Sequence, residues 1–150
     1  MWAVSGTAGS TPGSTPCSGG VARRPYAVGM ATLEQAALTA EQRRVIERWI
    51  ERLRDELELE SVWLFGSKAR GEPGGEDSDV DLLVLTRGDP ERDRQRAWAL
   101  IDDVARELGT DPTVYVPHTW DRAWLENRRA IESFFVQELD RDRIVLYGEP

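Results

Sequence analysis

Two aspartates, Asp79 and Asp81, open the apolar run VDLLVL (Val80–Leu85). In a β-strand the i, i+2 spacing projects both carboxylates from one face. Val80, Leu82 and Val84 then take the opposite face, toward a core. The two acids repel, and Glu76 and Asp77 add negative charge nearby, so a cation between them would relieve the cluster. Oxygen-only ligands that leave room for water suit Mg²⁺, with Mn²⁺ also accommodated. A polar strand start beside a turn accounts for the pair equally well when it is taken alone. The second feature is Gly66-Ser67, which follows the strand-like run SVWLF (Ser61–Phe65). A strand that ends in Gly-Ser and turns into a helix offers backbone N–H groups and a hydroxyl to an anion. By itself that too reads as a plain turn. In one small domain the two features form complementary halves, one gripping phosphate and the other holding a metal that bridges phosphate to protein.

The elements that position these residues follow from periodicity. Thr39 with Gln42 fits a capping box, and Val45, Ile46, Trp49, Ile50, Leu53 and Leu57 line one face of a helix to about Leu59. Between the first two strands, GSKARGEPGGEDSD begins as a short helix and loops at Pro73-Gly74-Gly75. Pro90 suits a helix first turn. Trp98, Ile101, Val104, Ala105 and Leu108 form that helix's stripe, with Gly109 ending it. A third strand is expected at Thr113–Val116. One helix should span about Thr119–Leu139, burying Trp120, Trp124, Ile131, Phe134 and Phe135. A last strand is expected at Arg143–Tyr147. This order predicts an α/β domain with a small mixed sheet of about four strands flanked by helices.

Composition narrows the class. The 150 residues, 40% hydrophobic and 31% charged, fit one globular domain. Residues 1–29, with SGTAGSTPGSTPCSGG (Ser5–Gly20) at their centre, are too poor in apolar side chains to offset ordering entropy and read as a disordered tail. The domain is placed at 30–150, with Met30 a candidate start. The single cysteine, Cys17, lies in the tail and supports neither a disulfide nor a thiol nucleophile. No run approaches the roughly eighteen apolar residues of a membrane span. The absence of a signal-like start points to the cytoplasm. A net charge of −8 argues against direct binding to nucleic-acid backbones.

Leu64–Val84, LFGSKARGEPGGEDSDVDLLV, resembles the signature of the DNA polymerase beta nucleotidyltransferase superfamily. Its nearest branch is the minimal nucleotidyltransferases associated with HEPN-domain proteins. Gly66, Ser67, Ala69, Arg70 and Gly71, then Ser78, Asp79, Asp81, Leu82 and Val84, occupy the pattern's positions. The resemblance implies the polymerase-beta-type fold and a nucleoside triphosphate, ATP by preference, held at Gly66, Ser67 and Arg70. It also implies two Mg²⁺ ions on three carboxylates, and transfer of NMP to a hydroxyl with release of pyrophosphate. Asp79 and Asp81 supply two of those carboxylates. The third comes from a neighbouring strand in relatives. Asp111, six residues ahead of Pro117, matches the spacing, although Pro112 could hold it in a bulge or leave it a plain turn residue. The branch implies an antitoxin that modifies a tyrosine of a HEPN toxin. A contact-only antitoxin with little transfer, and an antibiotic-modifying transferase, are the competing readings. The second usually has an additional substrate domain, for which 150 residues leave no room. Lys68 falls at a variable position of the signature, and His118 reads as a cap or surface residue at a strand–helix junction.

Overall fold

The computed structural model describes residues 33–72, 74 and 78–150. The tail at 1–29, the Met30 start and most of the expected Pro73-Gly74-Gly75 loop lie outside the described residues. Thr39 caps helix α1 (Ala40–Glu56) as expected: its hydroxyl accepts from the Gln42 N–H at 3.1 Å, and Gln42 Oε1 accepts from the Thr39 N–H at 3.0 Å. Val45, Trp49 and Leu53 are fully buried on its inner face, and each such side chain contributes about 1.5–3 kcal/mol relative to exposure. Trp49 satisfies its indole N–H by donating to the Ala97 carbonyl at 3.0 Å. Strand β1 (Leu59–Phe65) turns directly into the one-turn helix α2 (Gly66–Ala69), and strand β2 (Val80–Thr86) follows. Helix α3 (Pro90–Glu107) is capped by Asp89, whose carboxylate accepts from the Glu91 and Arg92 N–H groups. Gly109, at φ +73°, closes its end.

Strand β3 (Tyr115–Trp120), helices α4 (Arg122–Ala130) and α5 (Phe134–Asp142), and strand β4 (Ile144–Tyr147) complete the order. The sheet runs β3-β2-β1-β4, with β2 and β3 parallel and the other pairs antiparallel. It is the expected α/β fold with a mixed four-stranded sheet. Helices α1 and α3 cover one face over Val62, Leu64, Val80, Leu82 and Val84. Leu125 of α4 and Val136 and Leu139 of α5 cover Trp63, Phe65, Leu83 and Leu85 on the other. Burial on both faces explains why VWLF and VDLLVL read as continuous apolar runs rather than alternating ones. Among the described residues no helix is long and apolar enough to cross a membrane.

Two expectations are corrected. Asp111 caps a 3₁₀ turn (Pro112–Val114), so β3 starts at Tyr115 and extends four residues beyond the expected Val116 end. The single helix expected over Thr119–Leu139 is two. Asp121 caps α4 by accepting from the Trp124 N–H at 2.7 Å. The chain then leaves α4 through Glu132 at φ +51°, where the Glu132 and Ser133 N–H groups donate to the Arg129 and Arg128 carbonyls. That pairing is a helix-ending Schellman arrangement with glutamate in the position glycine usually fills. As a result Ile131, Phe134 and Phe135, expected in the core, are exposed, as are Trp98 and Leu108 of the α3 stripe.

Candidate active site

The antiparallel register sets Phe65, the last residue of β1, opposite Asp81 of β2. The next residue, Gly66, turns the chain at φ +74°, and a Cβ built on it would stand 2.7 Å from Asp81 Oδ2. The Gly-Ser turn and the second aspartate are therefore in contact. Val80, Leu82 and Val84 are fully buried toward α1 and α3, which leaves Asp81 on the face shared with Phe65 and Leu83. Asp79 lies one residue before β2 and is exposed, and Asp81 is partly exposed. Ser67 sits in the first turn of α2, partly exposed at the same corner. Of the four residues expected to act together, the structure sets Gly66 against Asp81, with Ser67 next along the chain from Gly66 and Asp79 two residues before Asp81.

Arg70 lies at the end of α2, with its guanidinium held by two acids: Nε donates to Glu72 at 2.6 Å and Nη1 to Asp142 at 2.9 Å. Glu72 and Asp142 hold the Arg70 pKa above its ordinary value. Arg141 and then Arg70 hold the buried Asp142 carboxyl below its own. Arg70 thus ties the Gly-Ser corner to the end of α5. A phosphate contact from this side chain would compete with both carboxylates. Lys68, which the signature leaves variable, is only 2% exposed, so the position is part of the packing of the corner.

The structure does not bring Asp111 to this pair. Its carboxylate accepts from the N–H and hydroxyl of Thr113 at 2.9 and 2.7 Å, and those bonds hold its pKa below the ordinary carboxylate value. It is exposed and borders a cavity of about 390 Å³ shared with Glu41, Gln42 and Tyr115, at the start of α1. Tyr115 packs with the α1 and α3 core, so this cavity opens on the sheet face opposite to Asp81. Pro112 is the physical reason: it fixes the first residue of the turn that precedes β3. Asp111→Asn should accordingly leave triphosphate affinity and transfer within about twofold of the parent, because a surface change away from the site moves little. A nucleotide titration and a transfer assay on the variant check this, and a loss beyond tenfold would reinstate Asp111.

What β3 does bring is Val116 and His118. In the parallel register Val116 is the partner of Asp81 and His118 of Leu83. His118 Nε2 stands 3.6 Å from Asp81 Oδ1, and its ring lies 5.4 Å from that of Phe65. Sequence reasoning placed His118 outside the strand. Continuing β3 to Trp120 would have put Val116 and His118 on the Asp81 face by simple alternation. The β3 residue that the register sets beside Asp81 is thus a valine.

As a metal-binding set, Asp79 and Asp81 present hard oxygen ligands at an open strand end, and Gly66 keeps clear the space a side chain would fill against Asp81. This fits a divalent cation completed by phosphate oxygens and water. Among the described residues no group of three or more histidine, cysteine or acidic side chains gathers around one point. The three-carboxylate arrangement is therefore not assembled from them.

Solved structures resembling the chain include a toxin–antitoxin with AMP-PNP, at 24% identity, covering 74% of this chain and 75% of that one with a TM-score of 0.47. A mutant of the toxin–antitoxin MntA–HpeT is 23% identical, with coverages of 69% and 73% and a TM-score of 0.46. A structure from Sulfolobus solfataricus described as a nucleotidyltransferase is 17% identical, with coverages of 75% and 87% and a TM-score of 0.44. The search of curated proteins gives no significant match. The model of the nucleotidyltransferase domain matches residues 46–141, well over half the chain. That span contains the Gly66-Ser67 turn, both strand-end aspartates and the β3 segment beside them, and the chain belongs to the nucleotidyltransferase domain family.

Proposed function

We propose that this domain binds a nucleoside triphosphate, ATP by preference, with Mg²⁺ at Asp79 and Asp81, and transfers its NMP group to a hydroxyl of a partner protein. The contact between Gly66 and Asp81 carries the reading, because a turn that could admit a phosphate then lies beside a carboxylate that could hold its metal. Bound there, Mg²⁺ would neutralise phosphate charge and polarise the α-phosphate. Gly66 and Ser67 would hold the phosphate oxygens against the protein, and Asp79 and Asp81 would fix the cation relative to them. The acceptor oxygen forms a bond to the α-phosphorus, the bond between that phosphorus and the β-bridging oxygen breaks, and pyrophosphate leaves. The hydroxyl proton passes to solvent or a neighbouring carboxylate. A HEPN-type toxin bearing an acceptor tyrosine is the partner that the Leu64–Val84 signature favours. The direct experiment incubates the domain and such a partner with α-labelled ATP and Mg²⁺. Label on the partner and free pyrophosphate, both lost with chelator, are expected. Label that stays in ATP while the partner is still neutralised would establish the second reading, an antitoxin acting by contact.

Val116 favours that second reading, since the β3 residue beside Asp81 carries no carboxylate. Transfer should therefore be slow in the natural chain and rise when one is placed there. Val116→Asp is expected to increase the transfer rate about tenfold or more while changing triphosphate affinity little, a positioned proton acceptor typically contributing about 10²–10⁴-fold. Single-turnover rates on the two proteins check it. An equal or lower rate in the folded variant would mean that the missing acid does not limit transfer.

A further inference from the structure

The elbow between α4 and α5 lifts apolar side chains out of the core. Ile131 is 60% exposed, Phe134 75% and Phe135 38%. The elbow is held in this shape by the Glu132 and Ser133 bonds back into α4, with Gln137 Nε2 donating to the Glu132 carbonyl at 2.8 Å. Glutamate rather than glycine takes the positive φ here, a conformation that L side chains adopt reluctantly. A continuous helix would have avoided that conformation.

The exposed group continues to the candidate active site. The Phe135 ring meets Phe65 edge-on at 5.6 Å and lies 6.4 Å from His118, and these two residues flank Asp81 on β1 and β3. Phe135, which follows Phe134 in the chain, thereby ties the elbow to the residues around Asp81. The three side chains leave on the order of 300 Å² of apolar surface open. A stable dimer buries about 800 Å² per partner, so the patch is too small to be the centre of a permanent contact between two copies. Small molecules are held in concave pockets, whereas a phenyl ring three-quarters exposed stands out from the surface. A transient contact with a protein segment is the remaining fit.

We propose that Ile131 and Phe134, linked through Phe135 to the Asp81 site, dock an apolar protein segment that flanks the acceptor hydroxyl. The proposal rests on the transfer reading above for the role of the segment, but its binding can be measured separately. The probes are two labelled peptides with one tyrosine each, one with leucines flanking it and one with serines in their place. Both are titrated onto the full chain in the presence of AMP-PNP and Mg²⁺. The parent should bind the leucine peptide at least tenfold more tightly. Phe134→Ser and Ile131→Ser should each lose at least fivefold on that peptide, with unchanged AMP-PNP affinity and unchanged thermal melting. Equal affinity for the two peptides in the parent, or unaltered leucine-peptide binding in both variants, overturns the docking surface. A parent dimer that Phe134→Ser dissociates also overturns it, since a second copy would then cover the patch. If the preference and its loss are seen while no label reaches any hydroxyl, the docking surface stands and the transfer reading fails.

Discussion

Asp81→Asn is expected to lower Mg²⁺-dependent triphosphate binding on the order of 10²-fold and to abolish detectable transfer. Asparagine keeps the shape of the side chain but removes the charge that a hard divalent cation requires. Asp79→Asn should behave alike, and the double variant should bind no better than either. The fold should survive in each. Asp79 is exposed and Asp81 partly so, while the core residues between and after them point away toward α1 and α3. Calorimetric titration with AMP-PNP in the presence and absence of Mg²⁺, paired with thermal melting, separates the two effects. Transfer that persists in the folded double variant would remove the acid pair from the chemistry.

The second large effect is at Gly66, where alanine should cost binding as well as stability. Two terms act on the substitution. The first is backbone strain from the positive φ of 74°, about 1–2 kcal/mol for an L side chain. The second is the new Cβ, 2.7 Å from Asp81 Oδ2. That oxygen is the end of a side chain and can rotate away, so the fold is spared but the carboxylate leaves its place. Gly109 supplies the control, since it has φ +73° and nothing within 4 Å of a built Cβ. Gly109→Ala should thus show the strain alone, lowering the melting temperature with intact nucleotide affinity. Gly66→Ala should lower stability by a similar amount and weaken Mg²⁺-triphosphate binding at least tenfold. Equal affinities in the two variants would separate the Gly-Ser turn from the phosphate site. Lys68→Ala is no substitute control, because Lys68 is packed into the corner.

Much of the fold was legible because local signals are strong where backbone chemistry is local. Thr39 with Gln42, and Gly109 beyond Leu108, each satisfy orphan helix-end groups within a few residues, so they act the same way in almost any tertiary setting. The strands SVWLF and VDLLVL were recognisable for a related reason, since a strand covered on both faces is apolar throughout. The Asp79-Asp81 spacing fixes a shared face by the two-residue pleat alone. The chain by itself therefore determined the α/β class, the acid pair and the Gly-Ser turn beside an expected strand end.

Tertiary structure decided what lies next to that pair. Asp111 matched a spacing along the chain, but a 3₁₀ turn at Pro112 consumes length without extending the strand and leaves Asp111 on the other side of the sheet. The neighbours of Asp81 come from register: Phe65 across one edge, Val116 across the other, and His118 one step along. On the β3 side that register pairs residues 35 positions apart, which no local pattern encodes. The same holds for the helix expected over Thr119–Leu139. Its apolar spacing is helical almost throughout, and only the competing caps at Asp121 and Glu132, selected by how α4 and α5 pack on β1 and β2, divide it and turn Ile131 and Phe134 outward.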